Sequence, residues 1–202
     1  MNRSGRPLAM PVEARRQEIF DAAEQLFGQR GYAQVSMADV AATAGMSKKT
    51  LYVHFSDKPG LLRALVDSSY AWPRRHDDEA PADPVAALEH RLRLVARHVL
   101  SERHLRLCRL AIGESMGIDG LARTFHERGF KASRRTLVAA VRAIPDGRCV
   151  LALPATTLAD MLFGASIARP YLNALLGAAP PRLGAVDSAI SASISALYPA
   201  PA

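Results

Sequence analysis

A chain of 202 residues that is 49% hydrophobic carries enough apolar material for a buried core, which excludes wholesale disorder. With only 6% aromatic residues and abundant Ala and Leu, the composition favours helices over strands. The net charge of +7 invites an anionic partner such as nucleic acid, but residues 84–153 hold thirteen Lys/Arg against six Asp/Glu, so the excess does not by itself locate a binding site.

Residues 1–11, with Gly, two Pro and two Arg and no helical period, read as a flexible basic arm. From Val12 the spacing of Ile19, Phe20, Ala23, Leu26 and Phe27 predicts a helix with one apolar stripe, ended by Gly31. Ser36-Met37-Ala38-Asp39 has the form of a capping box opening a short helix to about Ala44. Gly45 supplies a turn where a left-handed backbone is easy. Ser47 caps the next helix, which turns Leu51 and Phe55 inward, and Ser56-Asp57-Lys58-Pro59 restarts the chain as a fourth helix running to Trp72. The Pro-rich polar stretch 73–84 reads as a linker. Beyond it, helices are predicted near 85–101, 103–114, 119–144, 155–176 and 184–198, with Pro170 kinking the penultimate one. The expected fold is all-α: a helix-turn-helix domain over 12–56, joined by a connecting helix over 57–72 to a larger helical domain, with 57–202 forming the C-terminal half.

Two short capped helices joined by a Gly turn and braced by a longer one describe a helix-turn-helix. The second of them offers Ser47, Lys48, Lys49, Thr50, Tyr52 and His54 outward, and no acid occurs between Asp39 and Asp57. Hydroxyls, cations and an imidazole on a helix of groove width are suited to phosphates and base edges. Residues 15–62 resemble, without a gap, the DNA-binding domain of the TetR family of repressors. The resemblance is carried by Gly31-Tyr32, Ser36, Asp39-Val40-Ala41, Ala44-Gly45, Ser47, Thr50-Leu51-Tyr52, Phe55 and Lys58. It implies operator contacts from Lys48, Thr50, Tyr52 and His54, with Lys48 reading guanine, and phosphate contacts from Ser36 and Lys58. Lys49 stands where the family commonly has Gly, and Ala38 where some members have Arg. Arg3 and Arg6 are placed to reach a minor groove.

The same resemblance implies a C-terminal half that binds a small-molecule effector and pairs two subunits on a palindromic DNA operator, with effector binding releasing the DNA. Stripes of Leu158, Met161, Leu162, Ala165, Leu172 and Leu175, and of Val186, Ile190, Ile194 and Leu197, are the expected dimer interface, although an intramolecular core would give the same pattern. Trp72, Met116, Phe125, Phe163 and Tyr171 are the candidate pocket lining. Cys108 and Cys149 form no close pair or metal-like cluster, no secretory signal is visible, and Pro, Asp or Arg interrupts every long apolar run. The expectation is a cytoplasmic regulator, most simply a repressor, without a cofactor, a bound metal or a membrane partner. Two rivals remain. One is an activator with the same DNA contacts. The other is a metal-responsive or enzymatic protein built on His104 and Cys108, four apart on one helix face, but these lack a third ligand, and Glu114, His126 and Glu127 come without a nucleophile.

Overall fold

The computed structural model describes residues 11–70, 80–178 and 180–199. Among them the regular structure is helical, and the chain divides into two compact units at Leu65–Val66. The division falls inside the fourth helix, nine residues beyond the sequence-based boundary at 56/57.

In the first unit, α1 spans Val12–Arg30, α2 Met37–Thr43 and α3 Lys48–His54, and α4 (Lys58–Ser69) begins there. Helix α1 buries Ile19, Phe20, Ala23, Leu26 and Phe27, and Gly31 ends it at a φ of 78°. The capping box at α2 is complete. The Ser36 hydroxyl accepts from the Asp39 N–H at 3.2 Å, and the Ser36 N–H donates to the Asp39 carboxylate at 2.8 Å. Helix α2 ends in a Schellman arrangement: Met46 N–H donates to the Ala41 carbonyl and Gly45 N–H to that of Ala42, with Gly45 at a φ of 63°, a conformation that costs a residue without Cβ little. Ser47 caps α3 by accepting from the Thr50 N–H at 3.1 Å. Leu51, Leu61, Leu62 and Leu65 are fully buried, each stabilising the unit by roughly 1.5–3 kcal/mol. Phe20 and Phe55 pack with centroids 5.6 Å apart, and the Arg16 guanidinium lies 4.8 Å from the Phe55 centroid.

In the second unit, α5 (Pro84–Val99), α6 (Glu102–Glu114), α7 (Leu121–Thr124), α8 (Lys131–Arg142), α9 (Ala155–Phe163), α10 (Arg169–Leu175) and α11 (Leu183–Leu197) surround one core. Leu88, Leu92 and Val95 of α5 meet Leu137 and Val141 of α8, Leu158 and Leu162 of α9, and Val186, Ile190 and Ile194 of α11. A polar lock ties α5 to α11, where Glu89 accepts from both Arg93 and Ser191 at 2.7 Å. Arg109 of α6 donates to the Ala174 and Leu175 carbonyls at the end of α10, filling acceptors that the helix end leaves open.

The two long helices predicted over 119–144 and 155–176 are each interrupted by a π-helical segment, Phe125–Phe130 and Gly164–Ala168. Pro170 follows the second. It brings no N–H to the ladder, and the widened turn before it is where the predicted irregularity falls.

Candidate functional site

Seven residues make α3 about 10 Å long, which matches a major groove about 12 Å wide. Leu51 is fully buried and fixes the inner face. At 3.6 residues per turn, positions two before and two after it point the opposite way. Those positions are Lys49, which is exposed, and Val53, which is 78% exposed. Tyr52 flanks them at 52% exposure. Lys48 is exposed, whereas Thr50 and His54 are half-buried, and the Thr50 hydroxyl is paired with that of Ser47 at 2.9 Å. The outward face therefore combines two ammonium groups, a phenol and an isopropyl group with no carboxylate among them. Val53 was not among the sequence-based candidates, because that reading sought hydrogen-bonding groups. The alternation of Lys49 and Val53 about Leu51 was the available signal.

Two other candidates have structural duties. The Ser36 hydroxyl also donates to Asp39 at 2.5 Å, and its hydrogen bonds hold the Asp39 carboxyl below the usual carboxylate range. The Lys58 ammonium donates to the Tyr32 and Val35 carbonyls at 2.9 Å each and to the Ala33 carbonyl at 3.4 Å. An ammonium has three donors, and here they brace the segment between α1 and α2.

The second unit holds an open-sided cavity of about 320 Å3, with the exposed Ile112 and Phe130 among its lining residues. Its wall includes Phe125, Gly129 and Phe130 of the first π-helical segment, Phe163 at the edge of the second, and Tyr70, His104 and Tyr171. Wide turns of this kind often mark functional sites because they displace side chains from the regular ladder. Tyr171 donates to Cys108 at 3.3 Å, and the Tyr70 hydroxyl is 3.7 Å from the same sulfur. Burial pushes both phenols and the thiol upward, so all three keep their protons. Burial, with His98 and Arg103 nearby, pushes the His104 imidazole down to about 3. Arg134 and Asp160, at the wall, form a two-bond ion pair at 2.7 Å.

Of the pocket candidates, Phe125, Phe163 and Tyr171 line this cavity. Met116 does not: it follows the end of α6 in a turn and is 97% exposed. Trp72 lies outside the described residues. Tyr70 and His104 were missed as lining residues, although Leu62, Val66 and Tyr70 follow at i, i+4 and His104, Cys108 and Ile112 repeat that spacing. His104 and Cys108 do share a face of α6, but among the described residues no third His, Cys, Asp or Glu joins them.

The interface stripes also divide. Leu158, Leu162, Val186, Ile190 and Ile194 are buried within the single chain's own core, which removes their side chains from a subunit interface. Leu175 lines the cavity, and Leu197 packs against the core. Met161, Ala165 and Leu172 remain exposed. They continue a stripe ending at Leu176, which is 74% exposed; on α11 the small residues Ala185, Ser188, Ala192 and Ser195 are also exposed.

Comparison with known proteins locates this architecture. The family described as bacterial regulatory proteins, tetR family, matches residues 19–65. The transcriptional regulator TtgR of Pseudomonas putida is 32% identical over 95 residues, 45% of either chain, so the match spans less than half the length of that relative. The repressor ComR of Escherichia coli is 42% identical over 63 residues, covering 31% of this chain and 28% of that protein. The activator FasR of Mycolicibacterium smegmatis is 42% identical over 65 residues, covering 32% and 29%. Among solved structures, a tetR-family transcriptional regulator from Mesorhizobium loti superimposes with a TM-score of 0.75 at 24% identity, covering 91% of this chain and 95% of that one. The flavonoid-responsive regulator FrrA gives 0.69 at 23%, covering 94% and 100%. Among the described residues no helix is long and apolar enough to cross a membrane. Residues 19–65, which hold the capped helix-turn-helix, thus match the tetR family of bacterial regulatory proteins, and the fold of nearly the whole chain is that of the solved regulators it superimposes on.

Proposed function

We propose that the protein is a transcriptional repressor that binds a palindromic DNA operator as a homodimer and is released by a small molecule. The carrying observation is the outward face of α3, where Lys48, Lys49, Tyr52 and Val53 are exposed around a buried Leu51. Cations and a phenol serve phosphates, and an isopropyl group serves a thymine methyl.

The exposed stripe of Met161, Ala165, Leu172 and Leu176, together with the exposed small residues of α11, supports pairing of two copies. An apolar stripe and closely approaching small side chains suit a helix–helix interface. Two copies related by a two-fold axis would present two α3 helices to half-sites about one helical turn apart, or a multiple of it. The cavity supports release by a ligand. Tyr70, on its wall, directly follows α4, the helix that begins at Lys58. A ligand that prefers one position of Tyr70 therefore has a route to α4, and a coupling of about 1–3 kcal/mol is the usual scale. FrrA, of the same fold, is flavonoid-responsive.

Repression is the simpler regulatory outcome because operator occupancy alone suffices, whereas activation needs a further surface for the transcription machinery. ComR, a repressor, and FasR, an activator, are equally similar over the DNA-binding stretch, so the distinction rests on that argument. Selection of bound duplexes from a random pool tests the DNA reading. A palindromic consensus whose affinity falls steeply with salt is expected, and recovery of no consensus by the folded protein would overturn it. A reporter carrying the consensus over a promoter distinguishes lowered from raised transcription.

A further inference from the structure

We infer that the cavity of the second unit takes an uncharged, flat, apolar molecule carrying one hydroxyl group, and that the His104 imidazole recognises that hydroxyl. This rests on the reading of the cavity as the effector site and adds the chemistry of its occupant.

The first observation is the wall itself. The surface it presents is mostly apolar, although Ser133, Arg134 and Asp160 belong to the wall, and rings from Tyr70, Phe125, Phe130, Phe163 and Tyr171 contribute to it. Aromatic faces and edges bind a planar ring system better than a flexible chain of equal area. At about 320 Å3 the space lies at the small end of the roughly 300–1,000 Å3 typical of ligand pockets, which suits two fused rings better than an extended polycycle.

The second is the absence of unbalanced charge on the wall. The phenols of Tyr70 and Tyr171 are protonated and directed to Cys108, and Arg134 and Asp160 neutralise one another through two short hydrogen bonds. An anion or cation entering here would lose its hydration without a free counter-charge, a loss too large for apolar contact to offset.

The third is an unspent polar group. His104 is among the lining residues and only 3% exposed; its Nδ1 has no hydrogen-bond partner and is shut off even from water entering the cavity, so a ligand hydroxyl reaches it through a turn of the ring. Its ring is wedged against those of Tyr70 and His98, with centroids 5.0 and 4.6 Å away. Buried polar atoms are nearly always satisfied in native proteins, so such an atom calls for an explanation. A neutral imidazole offers one donor and one acceptor, and a hydroxyl can answer either. That is why a hydroxyl fits better than a carbonyl or an ether.

The test uses the full-length protein and four fluorescent probes of one shape: 2-naphthol, naphthalene, 2-naphthoate and 2-naphthylmethylammonium, each titrated at pH 7.5. Expected is one 2-naphthol per chain, naphthalene roughly tenfold weaker through loss of the hydrogen bond, and both ions weaker still. His104→Leu should bring 2-naphthol down to the level of naphthalene without weakening naphthalene. Ser133→Trp, which fills the cavity from its half-buried side, should abolish binding of both. Asp160→Ala frees Arg134 and should raise 2-naphthoate affinity alone. The inference is overturned if 2-naphthoate or the ammonium binds as tightly as 2-naphthol to the unaltered protein. It is equally overturned if 2-naphthol does not bind up to its solubility, or binds equally to Ser133→Trp. These comparisons on the unaltered protein and Ser133→Trp hold even if His104→Leu fails to fold. Operator affinity with and without 2-naphthol is read separately: binding as expected without any change in operator affinity would refute ligand release while leaving the chemistry of the occupant intact.

Discussion

The Lys58 ammonium lies 4.3 Å from the centre of the Tyr32 ring and donates to the carbonyl of the same residue at 2.9 Å. One side chain at the start of α4 thus closes the segment between α1 and α2 by a cation–π contact and by hydrogen bonds to backbone. Replacing Lys58 with Met keeps most of the stem and removes the charge. The expected result is a loss of about 1.5–3 kcal/mol in unfolding free energy, the scale of a hydrogen bond to a charged group, measured by urea titration. Unchanged stability with a weaker salt dependence of DNA binding would return Lys58 to the phosphate contacts.

Lys49 and Val53 face away from the core on the same side of α3, and under the proposed function they would divide the labour of DNA recognition. Lys49→Ala should weaken binding to all duplexes and reduce the salt slope by about one. Val53→Ser should cost about 1–3 kcal/mol at a single base pair while leaving the slope unchanged. Binding isotherms on the selected consensus and its single-position variants, at several salt concentrations, separate the two effects.

Leu51 and Tyr52 are neighbours, one fully buried and the other 52% exposed. Leu51→Ala opens a cavity at a fully buried position and should destabilise the protein by about 2–5 kcal/mol. Tyr52→Ala, at an exposed position, should leave the melting temperature nearly unchanged and weaken operator binding. Calorimetry together with operator titration distinguishes them.

Burial lowers the affinity of His104 and His98 for protons. Because the unfolded chain takes up those protons more readily, this part of the stability is fully present above a pH of about 6.5 and is lost as pH falls through the range down to about 3. Between those limits the slope from His104 approaches about 1.4 kcal/mol per pH unit, and His98 adds in the same direction. Urea unfolding between pH 7 and 5 should show a decline that is shallower in His104→Phe. An equal decline in that variant would assign the acid sensitivity elsewhere.

Leu172 and Leu176 are exposed in the single chain, whereas Ile190 is fully buried. Leu172→Arg together with Leu176→Arg should give a folded monomer by sedimentation. Ile190→Ala should instead lower the melting temperature, at a cost of about 2–5 kcal/mol. A double variant that remains dimeric would move the interface away from this stripe.

The first unit was legible in the sequence because its signals are local. Ser36 with Asp39, Ser47 before Lys48, and Gly45 each determine a helix end through atoms no more than a few residues apart. The second unit was legible as helices but not in its detail. A stripe such as Leu158–Leu162 reads identically whether it faces a sibling helix or a second copy, and only burial assigns it to the core. The π-helical segments at Phe125–Phe130 and Gly164–Ala168 depart from the 3.6-residue period on which the sequence reading relied. The cavity they border, with Tyr70 and His104 brought together from different helices, was correspondingly hidden. The brace made by Lys58 was hidden because its acceptors are backbone carbonyls, which leave no mark in the identity of residues 32, 33 and 35.

Gly129 approaches Tyr70 so closely that a Cβ there would fall 2.5 Å from the phenol ring. A one-carbon change at 129 therefore has to shift a ring that forms part of the cavity wall and sits immediately after α4. Under the proposed function, a mutation that tunes which molecule fits would also perturb the response to that molecule. Drift at this position is therefore pleiotropic, in a way that a change at a wall position without so close an approach to Tyr70 would not be.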